Sequence, residues 1–127
     1  MTKATEPHSM LPLTPPVFQI LLALCDQERH GYAIMREVGT QTGGQLRLGP
    51  GTLYGCLKRM LGAGLVEESE ERPDPELDDE RRRYYRITDL GRRVTRSEAR
   101  RLEAAVSAAR AKKLLPALNH GLAGVRF

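Results

Sequence analysis

Apolar residues recur at helical spacing in three separate parts of the chain. Thr14 stands before Pro15 and Pro16, a typical helix start, because threonine caps free N–H groups and proline fits the first turn. The pattern predicts helices at residues 14–25 and 31–42, and a third helix that opens near Thr52. The predicted buried face of the third helix consists of Leu53, Leu57, Met60 and Leu61.

The first two predicted helices differ in how many apolar faces they carry. In the second helix, Tyr32, Ile34, Met35 and Val38 are expected to face inward and Arg36 outward. The first helix has one face of Val17, Ile20, Leu21 and Leu24, and another of Phe18, Leu22 and Cys25. A helix that is apolar on two sides must be covered on two sides, and a second subunit is one source of that cover.

Strand signals follow the third helix. Residues 82–87 alternate with a period of two, so Tyr85 and Ile87 are expected on one side and Arg82, Tyr84 and Arg86 on the other. Thr88 is a suitable cap for a long helix over residues 89–115, which Pro116 ends. The predicted fold is mainly α with a small β-hairpin: a flexible arm (1–13), a winged helix-turn-helix (14–88), a dimerisation helix (89–115) and a tail (116–127).

Charge is distributed unevenly along the 127 residues. The net charge is +4, but residues 67–80 carry −8 and residues 81–127 carry +10. A cationic chain with one short acidic block suits a polyanion partner better than a membrane, and a solvated helix face is the equal alternative for the basic C-terminal half. The opening residues do not resemble a signal peptide, and the longest apolar stretch is about half the length that spans a bilayer, so a cytoplasmic location is expected.

The solvent face of the third helix carries Thr52, Gly55, Lys58, Arg59 and Gly62, opposite the apolar stripe. Small residues allow close approach to a groove, and a hydroxyl and two cations suit base edges and phosphates. An ordinary basic surface helix is the alternative for this face taken alone. The sequence contains no catalytic constellation, no cofactor motif and no cluster at metal-ligand spacing, so neither enzyme nor metal site is expected. Cys25 and Cys56 are interpreted as buried hydrophobes, with Cys56 the candidate for a redox role.

Four segments resemble the PadR family of bacterial regulators in order and spacing. They are His30-Gly31-Tyr32-Ala33-Ile34, Gly51-Thr52-Leu53-Tyr54, Leu57-Lys58-Arg59-Met60 with Gly64-Leu65-Val66, and Arg82-Arg83-Tyr84-Tyr85-Arg86-Ile87-Thr88 with Gly91. The resemblance implies a homodimeric repressor that reads a twofold-symmetric site on double-stranded DNA and is released by a small molecule or another cue. It places Thr52 and Tyr54 near the DNA, and it assigns Arg82, Arg83 and Tyr84 to the wing.

The chain departs from the family pattern at two places. Gly55 stands where much of the family has proline, and the wing tip from Pro73 to Glu80 is longer and more acidic than a phosphate-binding loop should be. The acidic tip is expected to turn away from DNA, while acidic residues at its base pair with neighbouring arginines. The alternative function is a winged-helix protein–protein module that docks through this acidic loop.

Apolar side chains of the last helix extend beyond what a compact winged core can bury. We expect that helix to pack on a partner subunit, and the seam with the first helix to be the place where a signal acts. Four residues are the candidate lining of a pocket for a small hydrophobic or aromatic effector: Phe18, Leu22, Leu102 and Val106. A solidly packed seam without a pocket is the alternative.

Overall fold

The computed structural model describes residues 7–69 and 83–118. The elements in these residues are α1 Pro15–Cys25, β1 Arg29–His30, α2 Gly31–Gln41, α3 Pro50–Gly62, β2 Val66–Ser69, β3 Tyr84–Ile87 and α4 Asp89–Ala111. The mainly α fold with a small sheet confirms the predicted class, and the predicted helices lie within a few residues of the observed ones.

Side chains that cap the backbone decide where three of the helices begin. The Thr14 hydroxyl accepts a hydrogen bond from the Val17 N–H at 3.4 Å, and the Thr88 hydroxyl accepts one from the Gly91 N–H at 3.0 Å. The third cap was not predicted: Nδ1 of His30 accepts from the Ala33 N–H at 3.2 Å. An imidazole nitrogen thus takes the place that serine, threonine or aspartate usually holds at the start of a helix.

The sheet is antiparallel, with β3 in the middle between β1 and β2. The predicted hairpin is confirmed, since Val66 pairs with Ile87 and Ser69 with Tyr84. The other edge, β1, was missed in the sequence because two residues are too short to show a period. Its residue His30 pairs with Tyr84.

The core lies between the sheet and the first three helices, and the start of α4 closes it. Leu53, Leu57 and Met60 of α3 are buried as predicted, whereas Leu61 is only half-buried. Gly91 in the first turn of α4 lies against the Leu65 carbonyl and the Ile87 side chain, with no room for a Cβ atom. This close approach fixes α4 on the hairpin that forms the wing.

Only the first half of α4 packs on the core of its own chain. Its buried residues are Gly91, Val94, Thr95 and Glu98. The helix ends at Ala111 rather than at the predicted residue 115, because Lys113 adopts a left-handed backbone (φ 69°) and the Leu114 N–H turns back to the Ala109 carbonyl at 2.9 Å. In the described ranges, none of the helices has both the length and the apolar character needed to cross a membrane.

The predicted flexible arm, residues 1–13, is corrected for its second half. Residues 7–10 form a short 3₁₀ helix that contacts α4, and Met10, Leu11 and Leu13 pack against the core. The backbone of Leu13 also hydrogen-bonds the buried carboxylate of Glu98. The polar and proline-rich composition suggested an arm, but its apolar residues outweigh that signal. Residues 1–6 lie outside the described range.

Candidate nucleic-acid interface

The exposed face of α3 carries the predicted side chains. Thr52, Lys58 and Arg59 are exposed and Gly55 is half-buried. Nothing lies within 4 Å of a Cβ atom built at Gly51 or Gly62, so the helix backbone is accessible along this face. Within the described residues, neither Lys58 nor Arg59 has an acidic partner. The face is therefore cationic and lined by small residues, and its two cations are not paired with carboxylates of the described chain.

Tyr54 contributes to packing and to the surface at once. Its side chain is 48% exposed, while its hydroxyl lies directly against Gly31 at the start of α2. A Cβ atom at position 31 would lie 2.7 Å from the Tyr54 Cζ atom, so a larger residue there would displace the Tyr54 ring from this position. Tyr54 thereby fixes the N-terminus of α2 against α3 and leaves its ring edge at the candidate interface.

The two cysteines lack the features of reactive thiols. Cys56 is 3% exposed, and the Arg59 guanidinium lies 3.5 Å from its sulfur. Burial raises the pKa of the Cys25 thiol, an effect that Arg92 only partly offsets. A thiol needs access and a lowered pKa to react readily, so both cysteines act here as small apolar side chains.

Ion pairs hold the base of the wing. Arg83 lies 3.2 Å from Glu68, and Arg86 lies 2.7 Å from Glu67. The four side chains are all substantially exposed, so each pair contributes little to stability and is easily exchanged for another anion. Arg82 and the acidic tip lie outside the described residues.

Tyr84 does not occupy the solvent face of the wing, and this corrects its predicted role as a DNA contact. It is 8% exposed, and its ring meets that of His30 edge to face at 5.3 Å. The strand alternation does place Tyr84 on the side of β3 opposite Tyr85 and Ile87, but the ring of His30 packs against Tyr84 on that side. Tyr85 is buried as well, and desolvation raises the pKa of its hydroxyl.

The sequence interpretation missed an exposed pair on α2. Tyr32, predicted to face inward, is 57% exposed, and the Arg36 guanidinium lies over its ring at 5.7 Å from the centroid. A signal was present, because Tyr32 is two positions from buried Ile34 and so lies about 200° away on the helix. Its apolar ring was given more weight than its angular position.

The four candidate effector residues lie on two helices. Phe18 and Leu22 are half-buried on α1, whereas Leu102 and Val106 are 36% and 43% exposed on the second half of α4. The described chain leaves Leu102 and Val106 without a core of their own to pack on. A pocket at this seam remains a prediction that requires a second subunit.

Two helices joined by a glycine-containing turn and followed by a hairpin define a winged helix-turn-helix, with α3 as the helix that enters the major groove in this class. The family comparison agrees with this class. The Transcriptional regulator PadR-like family matches residues 20–97, and the chain belongs to that family. The predicted resemblance is thus confirmed.

Solved structures with the same fold include a PadR family transcription regulator from Clostridium difficile R20291 (21% identity, 77% of this chain, 97% of that chain, TM-score 0.63). Another is Bacillus subtilis PadR in complex with operator DNA (21% identity, 68% of this chain, 46% of that chain, TM-score 0.55). Among relatives by sequence, an uncharacterized 37.1 kDa protein in transposon TN4556 of Streptomyces fradiae is 39% identical over 80 residues, or 63% of this chain. The chain spans 21% of that relative's length.

Proposed function

We propose that this chain is a sequence-specific transcriptional regulator that binds double-stranded DNA in the cytoplasm through α3. The observation that carries the proposal is the exposed face of that helix, where Thr52, Lys58 and Arg59 stand among glycines. Cations without acidic partners can bind phosphates and guanine edges, and small residues allow the helix to approach them. The operator complex of the Bacillus subtilis protein supports the same mode of action.

The wing contributes phosphate contacts in this proposal. The Arg83 side chain is 66% exposed and its ion pair with Glu68 is weak, so a DNA phosphate can replace the carboxylate. Arg82, the preceding residue, is assigned the same role. Such contacts orient the protein on DNA but do not read sequence.

The regulator acts as a homodimer and represses transcription. The buried stripe of α4 continues past Glu98 at spacings of three and four, through Leu102, Ala105, Val106 and Ala109, yet Leu102 and Val106 are exposed in the single chain. An apolar stripe that continues beyond the core of its own chain favours packing of this part of α4 on a partner helix. Two α3 helices would then read half-sites about 34–36 Å apart.

Release from DNA follows when a small hydrophobic or aromatic effector binds at the seam between the two subunits. Phe18 and Leu22 of one protomer and the exposed apolar residues of α4 from the other provide the lining. An effector acts by stabilising a dimer whose recognition helices are wrongly spaced, because a ligand shifts an equilibrium only by differential affinity.

Selection of bound duplexes from a random pool tests the function directly. We expect purified protein to enrich sequences with twofold symmetry, and the Arg59→Ala variant to enrich a broader set. Arg93→Ala serves as the matched control, since Arg93 is exposed on the face of α4 opposite its buried residues. Retention without enrichment would indicate non-specific binding, and no salt-dependent retention at all would favour a protein–protein module.

A further inference from the structure

Arginines of the described chain fall into two groups according to their partners. Arg29, Arg83, Arg86 and Arg101 are each held by a carboxylate within 4.0 Å. In residues 7–69 and 83–118, the arginines without such a partner are Arg59 on α3, several arginines of α4, and also Arg36 and Arg47. Arg36 and Arg47 lie on α2 and on the segment between α2 and α3, so the helix-turn-helix carries two cations outside α3 that are unpaired in the described chain, in addition to Lys58 and Arg59 on α3.

Both arginines line one open groove of about 430 Å³. Its other walls come from the outer side of α2 and from the turn that follows, with Met35, Gly39, Thr40, Gly44 and Leu48. None of these lining residues is acidic. The groove is therefore a basic cleft with a floor of small and apolar groups.

Tyr32 holds Arg36 in position on the solvent side of α2. Tyr32, Arg36 and Thr40 follow one another at intervals of four and are all exposed, opposite the buried Ile34 and Val38. The guanidinium of Arg36 rests over the Tyr32 ring, an arrangement that restrains the cation while its N–H groups stay free for an anion.

The Arg47 side chain lies beside the glycine turn between α2 and α3. Gly44 has a left-handed backbone (φ +81°), and a Cβ atom there would stand 3.7 Å from an Arg47 terminal nitrogen. The guanidinium thus lies back over the turn toward α2. Leu48 beside it is buried and fixes the backbone of this segment just before α3 begins.

We propose that the Arg36–Arg47 groove binds the DNA backbone, with one phosphate at each guanidinium, next to the site where α3 enters the major groove. The inference rests on the proposed function and adds two residues, from outside α3 and the wing, to the DNA interface. In helix-turn-helix proteins the first helix crosses the sugar–phosphate backbone. Arg36 and Arg47 are exposed and have no carboxylate partner among the described residues. Their guanidinium groups suit that backbone, since each presents paired N–H donors to a phosphate.

Salt-dependent binding of the full chain to a random-sequence duplex provides the test. Each of Arg36→Gln and Arg47→Gln should lower the slope of log affinity against log salt by about 0.9, the value for one lost phosphate contact. Affinity should fall about eightfold at 0.1 M salt in each variant, and the ratio of specific to random binding should not change. Arg93→Gln removes the same charge from α4 and should leave the slope unaltered. Arg47→Lys should retain most of it, because the positive charge is kept.

The possible results distinguish an error in the assignment of the groove from an error in the proposed function. If the wild type binds duplexes and the two variants match Arg93→Gln, the groove is not a phosphate contact while the proposed function stands. If the wild type fails to bind any duplex, the proposed function itself is wrong. A third arm titrates inorganic phosphate into the protein without DNA at constant ionic strength. Saturable binding that depends on both arginines, with DNA affinity unchanged in the variants, would make the groove a site for a free anion and overturn the proposal.

Discussion

At the scale of single residues, Arg59 is the side chain best placed to read a base. It is exposed on α3, has no carboxylate partner in the described residues, and has its guanidinium restrained by the contact with the Cys56 sulfur. A restrained arginine loses less freedom when it forms paired hydrogen bonds to guanine. We therefore expect Arg59→Ala to weaken binding to the selected site by ~1–3 kcal/mol and to relax its sequence preference.

Arg83→Ala is the comparison for Arg59→Ala, because Arg83 is assigned a phosphate contact in the wing. Loss of a phosphate contact should weaken specific and random duplexes alike and flatten the salt dependence, whereas loss of Arg59 should act mainly on the specific site. Fluorescence anisotropy with both duplexes over a salt series measures the two effects. Equal losses on both duplexes from both variants would contradict this division of roles.

Predictions for single residues from the sequence were right where a periodic pattern determines the helix face on which a side chain lies. The faces of α3 follow directly from the spacing of Leu53, Leu57 and Met60, which is why Lys58 and Arg59 were placed correctly. Tyr84 was misplaced because strand alternation gives the side of the sheet but not what covers that side. The cover comes from the ring of His30, which is distant from Tyr84 in sequence and carries no local signal.

At the scale of elements, Glu98 joins the N-terminal segment to α4. Its carboxylate is 2% exposed and receives two hydrogen bonds of 2.8 Å from Arg101 and another from the backbone of Leu13. The bonds from Arg101 lower the pKa of this carboxyl, and they outweigh burial, which raises it. The charged form is thus preferred in the folded chain.

Acid should remove this contribution. Because the folded-state pKa is below the unfolded-state value of about 4.5, the stabilisation is complete above that value and disappears as pH falls through the folded-state pKa. We expect Glu98→Gln to lower the free energy of unfolding by about 1–3 kcal/mol at neutral pH. The difference from wild type should shrink steadily in acid.

Urea unfolding over a pH series, at one protein concentration, measures that difference. Glu103→Gln is the matched control, because Glu103 lies five residues further along α4 and is exposed. A gap between wild type and Glu98→Gln that stays constant down to about pH 2 would show that the carboxylate charge does not act as described.

The first half of α4 packs with the winged domain, although the predicted domain boundary lies before it at residue 89. Sequence periodicity predicted a separate helix after the wing, and α4 does begin at Asp89. However, Gly91, Val94 and Glu98 are buried in the core, so the first half of α4 belongs to the winged domain. The apolar stripe of α4 packs first on the core of its own chain and, in the proposed dimer, then on a partner helix. A sequence pattern cannot show where the first of these contacts ends.

At the scale of the whole molecule, dimerisation should depend on the second half of α4. Truncation after the wing would expose Val94 and disturb the core, so point variants in the full chain are the sharper test. We expect Leu102→Glu with Val106→Glu to yield monomers in sedimentation, because two buried, unpaired carboxylates at a helix interface cost several kcal/mol.

Ser107→Glu is the control for added charge, since Ser107 lies away from the Leu102–Val106 stripe and is exposed. Dimer formation by the Leu102→Glu, Val106→Glu variant at the same concentration would place the dimer interface elsewhere. The monomer should still bind a single half-site, with an affinity for the full site reduced because the two α3 helices are no longer linked.

Control by an effector belongs to this same scale, because the proposed pocket exists only between subunits. Phe18 is half-buried on α1 and does not lie on α3 or the wing, so Phe18→Ala should leave DNA affinity within about twofold of wild type. The same change removes a large apolar wall from the seam, and it should weaken the response to a flat hydrophobic or phenol-like compound about tenfold or more. Titration of such compounds against the protein–DNA complex, with wild type and variant in parallel, measures release by anisotropy. If release by an effector is insensitive to changes at Phe18, Leu22, Leu102 and Val106, the pocket does not lie at the seam. Dimer packing would then not link effector binding to the spacing of the two operator half-sites.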